Sequence, residues 1–281
     1  TGGDNRLSFS TLFQVGQGAN AGVIQLGDAT GRSDQTVSGL QSIGTATTNA
    51  IIGGHTSNST LTVNNTTLST FSGLLGGSGV NENNINLNKS GGGTLNLTSN
   101  ANTFTGDVTI NGGNLGIVSA SSLGTVTKTI TISGATNSPS LRLNATGIAL
   151  PASFSIITSN DDVTNPALVN NTGDNIIGGS VSPTTGGFGT GNTRILVNSG
   201  TLTINGAISP VTGSAAALAV ILDGVGSGNA NGVISDNGSR TLGITKEGNG
   251  TWSLAAANSY SGATTVNAGR LNITTAQTGG G

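Results

Sequence analysis

KSGGGTLNLTSNANTFTGDVTINGGNL, residues 89–115, is restated as KEGNGTWSLAAANSYSGATTVNAGRL at residues 246–271. Lys89 matches Lys246, Gly93 matches Gly250, Thr94 matches Thr251 and Leu97 matches Leu254. After a slip of one residue the match resumes: Asn102 with Asn258, Phe104 with Tyr260, Gly106 with Gly262, Asn111 with Asn267 and Leu115 with Leu271. A chain that repeats itself in short strand-and-turn phrases builds stacked, quasi-one-dimensional architectures, in which each rung buries its core against its neighbours. The expected fold is therefore an all-β solenoid with a mechanical rather than a chemical task.

Composition supports ordered β structure. Gly (48), Thr (42), Asn (33) and Ser (32) make up over half of the 281 residues, a bias that by itself would suggest disorder. Charged residues are only 7% of the chain, however, and apolar residues alternate, as in Leu95-Asn96-Leu97 and Val108-Thr109-Ile110. Val, Ile and Thr suit a pleated, half-buried surface, and Gly and Asn suit its corners. Helix formers are scarce, with two Glu and three Lys. The longest candidate helix, Ala215–Val220, is short and uncapped.

Alternation places strands around Leu61 and Val63, Ile195 and Val197, and Leu202 and Ile204. Further strands are expected at Val126–Ser133, Ser140–Leu143, Ser153–Thr158 and Leu218–Leu222. Gly76-Gly77, Gly91-Gly92-Gly93 and Gly186-Gly187 read as tight corners. The Asn-Gly pairs at 111–112, 205–206, 231–232 and 237–238 fit either solenoid corners or hairpin turns, so an antiparallel β-sandwich is the rival fold. With rungs of roughly 20–25 residues the chain would form on the order of a dozen, stacked over about 60 Å. The domain expectation is one continuous solenoid over 1–281, with a loop-rich excursion at 144–190 containing Pro151, Pro166, Pro183, Asp161 and Asp162.

The absence of cysteine excludes disulfides, thiolate metal sites and cysteine nucleophiles. Residue 1 is threonine and methionine is absent, so a processed product or a piece of a longer chain is expected. No apolar run is long enough to span a bilayer. A net charge of −2 with scattered basic residues gives no electrostatic reason to bind nucleic acid.

The phrase K-x-G-x-G-T-[LW]-x-L, then A-N-[ST]-[FY]-[ST]-G, then N-x-G-x-L resembles the autotransporter-associated β-strand repeat, also called the passenger-associated transport repeat. The resemblance covers two copies, at 89–115 and 246–271. It implies a right-handed parallel β-helix, secretion across the outer membrane of a Gram-negative bacterium, and display or release outside the cell. The two copies are not in tandem, and this stretch contains no translocator barrel.

Candidate chemistry is sparse. Lys89 and Lys246 open the repeats and read as solvated residues at a rung edge. Phe104, Tyr260 and Trp252 read as core or rung-stacking aromatics rather than sugar platforms. Asn102 and Asn258 suit corner ladders that bond neighbouring backbone. His55, the one histidine, cannot build a histidine metal site alone. Glycoside cleavage needs two converging carboxylates, and Asp161 and Asp162 would face opposite sides of a strand. Asp28 and Asp34 around Arg32 make a weak calcium or turn candidate. No cofactor or metal is implied. The expected partners are further rungs, end-to-end copies of the same protein or, for an adhesin, glycans.

Overall fold

The computed structural model describes residues 3–5, 12–134, 137–159, 164–185 and 191–278. They form two compact units, residues 1–128 and 129–281, apart from the residues outside that description. Each unit is a parallel β-solenoid, and a 3-10 turn at Ala120–Leu123 is the only helical element among the described residues.

In the first unit Gln35–Val37, Ser59–Asn64, Ile85–Ser90 and Val108–Ile110 stack in parallel as one face. Ser69–Phe71, Thr94–Leu97 and Asn114–Ile117 form a second face, and Val23–Leu26, Ala50–Gly53 and Leu74–Leu75 a third. Leu12–Val15 pairs in parallel with Gly39–Ser42. Strand parity determines which side chains form the core. In Ser59–Asn64 the alternate residues Leu61 and Val63 are buried, whereas Thr60 and Thr62 face outward. Leu61 stacks on Leu87 of the next rung, and Leu87 stacks in turn on Val108.

The second unit repeats the scheme. Ser140–Leu143, Leu168–Asn170, Thr193–Val197, Ala216–Gly224, Arg240–Lys246 and Thr264–Val266 make one face. Ala149–Leu150, Asn175–Ile177, Thr201–Ile204, Ser227–Ala230, Thr251–Leu254 and Arg270–Ile273 make another. Phe154–Ser159 and Val181–Pro183 pair on the third, next to Lys128–Ser133. Residues 144–190 carry five regular strands, and residues 160–163 and 186–190 lie outside the described residues.

These ladders exclude the antiparallel sandwich. Antiparallel contacts among the described residues are local bridges, such as Gln17 with Asn20 and Asp28 with Gly31. Asn237-Gly238 is the one Asn-Gly pair within such a bridge, between Asn237 and Arg240. Asn111 and Asn231 instead join rungs, through amide contacts to Asn88 at 3.1 Å and Asn205 at 2.9 Å.

Rung length varies. The chain takes longer to travel from Ile195 to its ladder partner Leu222 than from Leu222 to Lys246. The turns from Lys246 to Val266 and from Lys89 to Ile110 are shorter still. Both short rungs start at a repeat lysine. Each also crosses its third face, at residues 98–107 and 255–263, without a strand. Losing a strand shortens the rung, and side chains must then replace the missing ladder bonds.

Candidate functional site

The residues shared by the two copies converge at two corners of each repeat rung. At the first corner Lys89 continues the inward parity of Ile85 and Leu87, so its stem enters the core. Its Nζ donates to the carbonyls of Ser90 at 2.6 Å, Gly91 at 2.9 Å and Gly112 at 2.9 Å. An ammonium has three donors and no acceptor, so three converging carbonyls satisfy it fully. Gly91 bends its carbonyl toward the lysine with φ of +73°, and Gly248 does the same in the second copy with φ of +63°.

Lys246 follows Leu242 and Ile244 inward and donates to the carbonyls of Glu247, Gly248 (2.9 Å) and Ala268 (3.4 Å). The expectation of solvated rung-edge lysines is thus corrected: both are fully buried. They join corner carbonyls of consecutive rungs that would otherwise lack a donor. Burial pushes the Lys89 ammonium down to about 8 and also lowers that of Lys246, where Asp223 and Glu247 act in the opposite direction.

The second corner replaces the missing strand. Asn102 accepts the Leu75 N–H at 2.9 Å from the preceding rung and donates to the Ser122 carbonyl at 2.8 Å in the following one. Asn258 likewise accepts the Ile234 N–H at 2.7 Å, but its amide nitrogen is buried without a partner. The ladder role expected of both asparagines is present, made to backbone rather than to other asparagines. Asn49 and Asn175 show the same acceptance in rungs outside the repeat, from Gly22 and Ile148.

Phe104, Tyr260 and Trp252 are buried, as expected of core aromatics. Tyr260 keeps its hydroxyl 2.8 Å from Thr264 Oγ1. Trp252 stands opposite Gly228 in the ladder, and a Cβ at Gly228 would lie 2.2 Å from the indole. The larger side chain, placed where the first copy has Leu95, therefore fits because the preceding rung has none there. The remaining repeat positions serve the stack. Gly93 and Gly250 each donate to a preceding corner carbonyl at 2.9 Å. A Cβ on Gly106 or Gly262 would meet the backbone of Ile85 or Leu242. Asn111 and Asn267 donate through their backbone to Lys89 and Lys246 at 2.8 Å. Thr94 accepts the Asn114 amide at 3.0 Å, and Thr251 pairs with Arg270 in the matching ladder. Leu97, Leu254 and Leu115 are core residues, whereas Leu271 is half-buried.

Two features went unseen in the sequence. Lys128 is buried in phase with Ile130 and Ile132, and donates to the carbonyls of Phe104 at 3.2 Å and Gly106 at 2.7 Å. Its Nζ lies 4.1 Å from the Phe104 ring centroid, within cation–π range. Burial pushes it down to about 8, opposed by Asp107. Arg194 pairs with both Asp223 at 2.5 Å and Glu247 at 2.7 Å.

The acidic candidates make local contacts. Asp28 accepts from the Thr30 hydroxyl and backbone N–H, which holds its carboxyl below the usual range. Asp34 pairs with Arg32 at 2.9 Å and accepts the Thr60 N–H at 2.7 Å. Asp161 and Asp162 lie outside the described residues. His55 Nδ1 accepts the Ser57 N–H at 3.0 Å. Among the described residues no three His, Cys, Asp or Glu side chains gather as metal ligands. On the outer face of the first unit Thr60, Asn86, Asn88, Asp107, Thr109 and Asn111 line a shallow polar hollow of about 270 Å³.

Both repeat rungs match the profile of the passenger-associated transport repeat, over residues 87–117 and 244–273. Comparison with curated proteins and with solved structures returned no match.

Proposed function

We propose that this chain is a non-enzymatic extracellular β-solenoid that spaces, displays or self-assembles at a bacterial cell surface. One observation carries the reading: what the two copies share is spent on joining rungs. The lysines, asparagines and glycines of the repeat bind backbone of adjacent rungs, and its aromatics fill the core. The match of both copies to a passenger repeat supports secretion and surface location.

A second reading, an adhesin for glycans, draws on the polar hollow at Asn86, Asn88 and Asp107. Phe104, Tyr260 and Trp252 do not supply it with a stacking platform, because they are buried.

Electron microscopy of the native material at several concentrations, with a glycan array on the same sample, tests both. Elongated particles or fibres that bind no glycan are expected. Saturable glycan binding lost on replacing Asn86 or Asn88 would overturn the spacer reading in favour of adhesion. Turnover of a polysaccharide would overturn both.

A further inference from the structure

Outward positions of the first unit are polar on one face, as at Thr60 and Thr62, but apolar on another. Ile51 and Leu75 are fully buried ladder partners, so the flanking Ala50, Ile52 and Leu74 point away from the core. With Ala101 and Thr103 of the following rung they line a hollow of about 340 Å³. Rungs continue on both sides of its floor: Val23 pairs with Ala50, Ala50 with Leu74, and Asn102 accepts the Leu75 N–H. The two alanines flank the larger Leu74 and give the floor its depth.

One side of the hollow is lined by the connection between Leu75 and Ile85, which is tied to both neighbouring rungs. Gly53 donates to the Glu82 carbonyl at 2.8 Å and Asn84 Nδ2 to that of His55 at 2.8 Å. From the other rung, Thr103 Oγ1 donates to the Gly77 carbonyl at 3.1 Å. Within the connection Glu82 Oε2 accepts the Gly79 N–H at 2.8 Å. A Cβ on Gly77 or Gly79 would lie 2.2 or 2.7 Å from the Glu82 carboxyl group, so the two glycines make room for it. The carboxylate is therefore held in place at the edge of an apolar floor.

The chain has two glutamates. Glu247 is paired with Arg194 at 2.7 Å, whereas Glu82 has no cationic partner among the described residues. A fixed carboxylate without a counter-charge, beside apolar side chains, complements a cation carried on an apolar body. We propose that this hollow binds a small organic cation, a short alkylammonium. Its hydrocarbon body lies over Ala50, Ile52, Leu74 and Ala101, and its ammonium group donates to the Glu82 carboxylate. The volume falls at the lower end of the range of small-molecule pockets, which favours a free ligand over a macromolecular face. This is a binding activity beyond the spacer reading, and it uses none of the repeat residues.

The probes are hexylammonium, hexanol and hexanoate, each titrated into the full chain. NMR follows the methyl groups of Ile52 and Leu74 and the Gly79 amide, whose N–H touches the carboxylate. Saturable shifts with hexylammonium are expected. Hexanol should bind about fivefold more weakly, the equivalent of one partly exposed ion pair, and hexanoate more weakly still. Added salt should weaken hexylammonium and leave hexanol unchanged.

Two variants separate head from body. Glu82→Gln keeps an acceptor for the Gly79 N–H and should bring hexylammonium down to the level of hexanol. Ala101→Leu, at an exposed position, fills the floor and should abolish the shifts at Ile52 and Leu74 for both probes. Neither residue is in the core, so both variants should melt at the temperature of the parent chain. Equal affinity for hexanol and hexylammonium, binding that survives both substitutions, or no saturable shift at all would overturn the proposal. Particle form and glycan binding do not involve this hollow, so the spacer reading would survive that result.

Discussion

The first repeat copy and the second carry the same residues into equivalent corners, yet among the described residues only the first is covered by a following rung. Lys89 reaches three carbonyls within 2.9 Å, whereas the outermost contact of Lys246, to Ala268, lengthens to 3.4 Å. Asn102 uses both ends of its amide and Asn258 only one. Leu115 is buried and Leu271 half-buried. The difference separates what the repeat phrase encodes from what its neighbours must provide. The phrase supplies the lysine plug, the asparagine pin and the close-approach glycines. The next rung supplies the carbonyl, the ammonium and the apolar cover.

Replacing the lysines should break the comparison most strongly. Lys89→Met removes the only charge from a buried corner and leaves three carbonyls without a donor, at about 1–3 kcal/mol for each buried group left unsatisfied. A loss of roughly 3–5 kcal/mol is expected for Lys89→Met by denaturant unfolding. Lys246→Met should cost less, because water can reach the Ala268 side of its corner. Equal losses would show that the following rung adds nothing to the plug.

Gly228→Ala should come next and act on the second copy alone. The added methyl meets the Trp252 indole, and overpacking of this kind costs about 1–3 kcal/mol. Trp252→Leu, which restores the residue type of the first copy, should relieve Gly228→Ala. A double-mutant cycle measures that coupling, and additive effects would rule out the fit between these two residues. Asn102→Ala should then exceed Asn258→Ala by about 1 kcal/mol, the net worth of the one bond they do not share. Thermal unfolding of both variants checks the ranking.

The same contrast shows what the sequence made legible. Solenoid stacking followed from the restated phrase, and strand positions followed from period-two alternation; Ser140–Leu143 begins and ends as expected. Inward lysines were also legible in principle. Ile85-x-Leu87-x-Lys89, Leu242-x-Ile244-x-Lys246 and Lys128-x-Ile130-x-Ile132 keep unbroken core parity. Treating lysine as a surface residue by default hid that signal, since a charge enters a core only where acceptors wait. The decisive acceptors, Gly112 and Ala268, are backbone carbonyls of the next rung, and a carbonyl has no sequence signature. The space for Trp252 was hidden similarly. It depends on Gly228 lying opposite, and that register is set by a rung length that changes from one turn to the next.

Titration of Lys89 gives the smallest effect and tests the enclosure of the first copy directly. Burial depresses its ammonium from 10.5 to about 8. Between these values the unfolded chain binds more protons than the folded one, so stability rises with pH across that window and is flat below about 8. The rise amounts to about 1 kcal/mol over the single unit from pH 8 to pH 9. Subtracting the profile of Lys89→Met removes the contributions of all other groups. The difference should climb between pH 8 and 10 and stay level from pH 6 to 7.5. A level difference throughout would mean that the three carbonyls hold the ammonium strongly enough to cancel its desolvation. The plug would then be a fixed charge at every accessible pH, and the two copies would differ in cover alone.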